Sequence, residues 1–221
     1  SSDLFEYLRN KAKAVAIINQ DIPQFPVIER FLQSLGIHYQ TFGMNEKADY
    51  LATDIQLWES GSRFKVQHQG TSLDIQLVMP GRFNVANALA GIAAARHLGI
   101  SDDAIQTGLS RVVVPGRLEK VSIPGQGRAG LPDFSILVDY AVTDDSLRQV
   151  LQTLRPITRS RIICVFGAGG DRDKGKRPLM GKAVGELADF AILTSDNPRT
   201  EDPQSIIDGI EQGIKPTGTS Y

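Results

Sequence analysis

The chain has 221 residues, enough for one large domain or two small ones. Lys and Arg total 24 against 25 Asp and Glu, a formal net charge of −1, which excludes a nucleic-acid binder working through bulk electrostatics. Hydrophobic residues at 41% and charged residues at 22% exclude a disordered chain. The single cysteine, Cys164, cannot close an internal disulfide, which fits a reducing compartment. No apolar run approaches the ~20 residues of a membrane helix, and Ser1 to Glu6 show no basic segment leading into an apolar core. The expectation is a cytoplasmic α/β protein with neither membrane insertion nor a nucleic-acid partner.

Residues 3–13 carry Leu4, Phe5 and Leu8 at helical spacing behind Asp3 as N-cap. Residues 14–18 form a short apolar run that reads as a buried strand, ended by a turn at Asn19-Gln20-Asp21 and Pro23. Residues 27–35 are amphipathic, with Gly36 where a helix C′ residue belongs, and 37–42 read as a further strand. From 50 to 79 apolar and polar residues alternate around Gly61 and Gly70, the pattern of an antiparallel meander with one wet face that includes Trp58. Two helices follow, an Ala-rich one over 84–98 closed by Gly99 and one over 102–111 capped by Ser101. Val112 to Arg117 is stiff and apolar, with a turn, and divides the chain into 1–114 and 115–221. Residues 122–133, rich in Gly and Pro, read as an exposed loop.

The remainder repeats strand, loop and helix three times: strands at 134–138, 161–166 and 190–194, with helices from Thr143, from Pro178 and from Asp202-Pro203. Such succession predicts a parallel, doubly wound sheet whose ligands bind outside the carboxyl ends of the strands. Three loops therefore matter. In the first, Asp139 is placed either to accept hydrogen bonds from a ribose diol or to leave only a capping role to its neighbours Asp144 and Asp145. The second, 167–178, joins glycines to Arg172, Lys174, Lys176 and Arg177, a mixture suited to a phosphate or carboxylate, the alternative being a turn whose charges pair among themselves. It is not a Walker A loop. The third, Ser195-Asp196-Asn197-Pro198-Arg199, offers an amide and a guanidinium that can grip a carboxylate, or else a simple Asx turn. Arg117 either reaches a phosphate or stabilises the linker, and Asn84 either serves a ligand or caps its helix. His38, His68 and His97 lack ligand spacing, so no metal site is expected, and Cys164 reads as core.

These segments together resemble the Mur ligases of peptidoglycan synthesis, most closely the UDP-N-acetylmuramoyl-tripeptide synthetases. The resemblance is carried by Pro80-Gly81-Arg82-Phe83-Asn84-Val85 with Asn87-Ala88-Leu89, by Val114-Pro115-Gly116-Arg117, by Val138-Asp139-Tyr140-Ala141, by 166–181 and by 194–203. In that family an Asp-Asn-Pro-Arg motif, here Asp196 to Arg199, marks enzymes that add meso-diaminopimelate, as opposed to lysine. The implied fold is the end of a central ATPase domain, a mixed sheet with a β meander, followed by a truncated Rossmann-like domain with a parallel sheet. The implied activity is an ATP-dependent ligase joining diaminopimelate to a UDP-MurNAc-dipeptide through an acyl phosphate, with Mg²⁺ ligands outside this chain. By the same resemblance Arg172, Asn197 and Arg199 hold diaminopimelate with Asp196 orienting them. Asp139 binds the ATP ribose, Arg117 approaches the phosphates, and Asn84 and Asn87 touch the adenine. Lys174 assists a phosphate or carboxylate on charge grounds alone.

The departures are specific. The family's Gly-rich phosphate loop, its UDP-sugar-binding domain and its carbamoylated lysine have no counterpart here. Tyr-Ala-His-Thr-Pro-Asp becomes Tyr140-Ala141-Val142-Thr143-Asp144-Asp145, and Asn-x-Asp-Asp becomes Asn19-Gln20-Asp21-Ile22. Phosphoryl transfer draws most of its acceleration from the phosphate loop and its metal, so the isolated chain is expected to be inactive. The competing expectation is a non-catalytic remnant that binds an amino acid or a partner protein.

Overall fold

The computed structural model describes residues 14–45, 47–121 and 134–221. The helix expected over 3–13 and the loop expected over 122–133 lie outside the described residues. The chain divides into two compact units, Ser1–Val113 and Val114–Tyr221.

In the first unit the alternating segments form a five-stranded sheet in the order β1 (Ala16–Asn19), β2 (Tyr39–Gly43), β3 (Tyr50–Trp58), β4 (Gly61–His68) and β5 (Thr71–Leu77). The first three run parallel and the last three antiparallel. On β5, Leu73, Ile75 and Leu77 are buried while Ser72, Asp74 and Gln76 are exposed, the wet-faced meander that the alternation predicts. Phe64 stands opposite Ile75, and Val66 opposite Leu73, so cross-strand pairs build the core surface. Helix α1 (Phe25–Ser34) makes the crossover between β1 and β2, burying Phe25 and Leu32 with Ile18 and Ile37. Helix α2 (Arg82–His97) lays Val85, Ala88, Leu89, Ile92 and Ala93 on Phe64, Val66, Ile75 and Leu77. The spacing i, i+3, i+4, i+7 and i+8 makes that stripe. Gly99, at φ 79°, ends α2 in a Schellman turn, with the Ile100 N–H on the Ala95 carbonyl at 3.0 Å. Helix α3 (Asp102–Leu109) is capped as expected, the Ser101 hydroxyl accepting the Ala104 N–H.

In the second unit β6 (Glu119–Val121) pairs antiparallel with β7 (Ile136–Val138), and β8 (Ile163–Phe166) pairs parallel with β9 (Phe190–Leu193). The expected run of three parallel strands is corrected here: among the described residues β7 takes β6 as its partner. The cause is the turn before β6. Gly116 and Leu118 have left-handed backbone, φ 68° and 46°, and the Gly116 carbonyl and Leu118 N–H then bond to Tyr140 and Asp139 just past β7. Parallel pairing is carried by β8 and β9.

Helices α4 (Asp144–Leu154), α5 (Lys176–Leu187) and α6 (Pro203–Ile214) contribute Leu147, Leu151, Met180, Val184, Ile206, Ile210 and Ile214 to one apolar cluster with Phe166 and Ala191. Thr143 and Ser146 form a reciprocal capping box, and Asp202 accepts the Ser205 N–H at 3.0 Å ahead of Pro203. Helix α5 starts at Lys176, two residues before the expected start, because a proline in the first turn lacks only an N–H the helix would leave unbonded. Helices α5 and α6 meet backbone to backbone: a methyl group at Gly213 would run into the Pro178 carbonyl. Cys164 is part of this packing, and burial pushes its thiol up to about 11, which makes it a core side chain and not a thiolate nucleophile. No helix among the described residues is long and apolar enough to cross a membrane.

Candidate functional site

Because β8 and β9 are parallel, their carboxyl ends open on one edge, and the loops 167–175 and 194–202 leave side by side. The Thr194 N–H still reaches the Phe166 carbonyl at 3.0 Å, so the ladder runs into the loops. Gly170 then gives its N–H to the Asn197 carbonyl at 2.8 Å, and no side chain fits there because a methyl group would overlap the Pro198 carbonyl. This close approach is the reason for the glycines that the sequence places after a strand.

The four residues expected to hold an amino acid lie on these loops and are exposed: Arg172 on the first, Asp196, Asn197 and Arg199 on the second. Arg199 has left-handed backbone, φ 51°, and one end of its guanidinium donates to the Gly170 carbonyl at 3.1 Å. Its N–H points to Asn197 Oδ1 at 3.3 Å, so the Asx turn weighed as an alternative is present, within a loop clasped to its neighbour. Arg172 makes no hydrogen bond or ion pair among the described residues, which leaves its guanidinium available to a ligand.

The sequence reading missed what joins the loops. Glu201, two residues past Arg199, accepts both terminal nitrogens of Arg177 at 3.0 and 2.8 Å, together with the Asp171 N–H at 2.6 Å. Lys174 lies 3.3 Å from the same carboxylate and is otherwise exposed. Asp171, at φ 53°, accepts the Thr200 hydroxyl at 2.8 Å and its N–H at 3.3 Å. The Arg177 guanidinium first, then the Asp171 N–H, hold the Glu201 carboxyl down at about 2. Arg177 was read as part of a diffuse positive loop, yet it is 4% exposed. The only sequence signal was acidic residues over 194–202 and a basic excess over 167–178.

Elsewhere in the second unit, Asp139 takes the Leu118 N–H at 2.9 Å. Burial raises its carboxyl above the usual range, opposed by the Leu118 N–H, by Arg117 and by the Ala141 N–H. Arg117 lies 5.1 Å from the centre of the Tyr140 ring and bonds the Gly116 carbonyl at 3.2 Å, so a cation and a carboxylate share one turn. In the first unit Asn84 is buried and donates to the Pro80 carbonyl at 2.8 Å; the residue capping α2 is Gly81, so the capping alternative weighed for Asn84 is not met. Asn87 is exposed on the same helix. Asp21, in the turn that departs from the family pattern, ties the end of β2 by accepting the Met44 N–H at 2.7 Å and the Asn45 amide at 2.6 Å. Among the described residues no group of three or more His, Cys, Asp or Glu side chains is placed to hold a metal ion.

Residues 1–95 match the Mur ligase middle domain, and residues 116–220 match the Mur ligase glutamate ligase domain. The UDP-N-acetylmuramoyl-L-alanyl-D-glutamate–2,6-diaminopimelate ligase of Syntrophomonas wolfei is 42% identical over 212 residues, 96% of this chain and 41% of that protein. A solved structure of a ligase of the same description aligns with all of this chain and 44% of its own, at 33% identity and a TM-score of 0.58. The Mycobacterium tuberculosis folylpolyglutamate synthase, solved with ADP, shares the fold: TM-score 0.72 at 20% identity, over 94% of this chain and 44% of that one. The chain thus spans about two fifths of the length of the curated relatives it matches. With two domains of one family matched in order over nearly all its length, the chain belongs to the Mur ligase family.

Proposed function

We propose that the protein carrying this chain is an ATP-dependent ligase of cytoplasmic peptidoglycan synthesis, which joins meso-diaminopimelate to the D-glutamate end of UDP-MurNAc-L-Ala-D-Glu. The observation that carries this reading is the Asp196–Arg199 loop clasped to the glycine loop at the carboxyl ends of β8 and β9. The 42% identity to a ligase of that specificity supports it.

The D-glutamyl carboxylate takes the γ-phosphoryl group, and ADP leaves with the bridging oxygen. The amine of diaminopimelate then attacks the acyl carbon, loses a proton and expels phosphate as the amide forms. In this reading Arg172, Asn197 and Arg199 bind the carboxylates and amine of diaminopimelate, and Asp196 orients them. Asp139 accepts from the ribose hydroxyls, Arg117 faces the phosphates, and Lys174 adds positive charge at the loop edge. Asn84 and Asn87 are assigned to the adenine side, with the exposed Asn87 the more available of the two. Mg²⁺ would neutralise phosphate charge in such chemistry, and its ligands are assigned outside this chain.

The test is phosphate release by the intact protein, supplied with ATP and the UDP-dipeptide, with and without meso-diaminopimelate. Release that requires diaminopimelate and is not supported by lysine is expected; no such release would replace the ligase reading with that of a non-catalytic binder. Arg199→Ala in the intact protein should raise the KM for diaminopimelate by about 10- to 100-fold, the weight of a charge-assisted hydrogen bond, and that for ATP less than twofold. Equal weakening of both would sink the pocket assignment.

A further inference from the structure

Two non-glycine residues with left-handed backbone, Asp171 and Arg199, lie one on each loop of the candidate amino-acid site. Such a conformation persists outside glycine only where the surroundings over-determine it. Here the surroundings converge on one carboxylate. Glu201 holds the Asp171 N–H through Oε1, and both its oxygens are gripped by Arg177, whose side chain is 5% exposed. The Asp171 carboxylate in turn holds Thr200, the residue between Arg199 and Glu201. The circuit therefore leads from the first turn of α5 to the residue before Arg172 and to the residue after Arg199. Arg177 is buried, so the brace is anchored at the first turn of α5, and from there it reaches both loops.

We infer that Glu201, clamped by Arg177, is a positioning residue that sets affinity for the incoming amino acid by fixing Arg199 and Arg172 relative to each other. The inference rests on the proposed diaminopimelate site and goes beyond it, because Glu201 itself touches no substrate. An exposed arginine on a free loop would have to be ordered by the ligand at each binding event, whereas here the loop is ordered beforehand. The loss on breaking the brace should therefore fall on the amino acid alone.

The experiment is steady-state kinetics of the intact ligase with Glu201→Gln, which keeps the size of the side chain but gives up its charge. The expected result is a rise of about tenfold in the KM for meso-diaminopimelate, with the KM for ATP and for the UDP-dipeptide changed less than twofold. Thr200→Val, which removes only the exposed hydroxyl bond to Asp171, should shift the same constant in the same direction by a smaller factor. In an Arg199→Ala background Glu201→Gln should add only part of its factor in the parent, since the share that travels through Arg199 is already lost; a merely structural role would add its full factor there. If the parent turns over diaminopimelate and both variants leave its KM unchanged, or raise the KM for ATP equally, the inference fails and the ligase reading stands. If the parent shows no diaminopimelate-dependent turnover, both fail.

Discussion

In the first unit Phe64, Val66, Ile75 and Leu77 meet Val85, Leu89 and Ile92 as one apolar cluster. In the second, the loops 167–175 and 194–202 meet through a carboxylate, a guanidinium, a hydroxyl and backbone groups. Apolar burial is non-directional and scales with area, so the first contact tolerates a change of shape that keeps volume. A hydrogen-bonded brace is directional: each donor has one acceptor at one distance, and an isosteric change that removes charge is felt in full. The sheet of the first unit is thus set by how much it buries, and the loop pair of the second by what it aligns.

The comparison breaks most plainly at Ile92, fully buried in the first cluster. Ile92→Ala should cost about 2–5 kcal/mol of unfolding free energy, whereas Ile92→Val should cost about 0.5–1.5. Urea unfolding followed by the fluorescence of Trp58, the single tryptophan and a residue of β3, reads that unit alone. Similar costs for both changes would mean that the cluster is not packed as described.

Gly213→Ala places a methyl group against the Pro178 carbonyl and should cost about 1–3 kcal/mol by overpacking. Circular dichroism should register the loss while the Trp58 transition stays in place. A shift of Trp58 fluorescence would show that the units do not unfold separately.

The smallest effect sharpens the polar side of the comparison. Glu201 is held at about 2, below its ordinary 4.5, so what it contributes is present above about 4.5 and is lost as pH falls toward 2. Thermal unfolding at pH 5, 3.5 and 2.5 should therefore show the parent losing stability more steeply than Glu201→Gln across that window. Parallel curves would mean that the Arg177 pair contributes nothing to the fold.

The elements were legible where a local rule decides them. The alternation at 71–77, the glycines ending α1 and α2, Ser101 as a cap and the Asp202-Pro203 pair each announce their structure within a few residues. The strand at 136–138 was legible as a strand, but not its partner. Ile136-Leu137-Val138 is apolar in any sheet, and its pairing with β6 depends on left-handed residues at 116 and 118. Leu118 carries no sign of that conformation in its type. At the candidate site, glycines, arginines and the Asp-Asn-Pro-Arg segment showed which loops matter. The pairing of Arg177 with Glu201 did not, because an ion pair 24 residues apart leaves no local pattern.

The clasp between the loops also makes a gauge. The N–H of Gly170 is turned to the Asn197 carbonyl and that of Asp171 to the Glu201 carboxylate, so two successive amide protons of one loop are held by its neighbour. Neither can exchange with deuterated water until the loops part, and one parting frees both. The protection of these two amides therefore reports the free energy of opening the brace, whether or not any substrate is turned over.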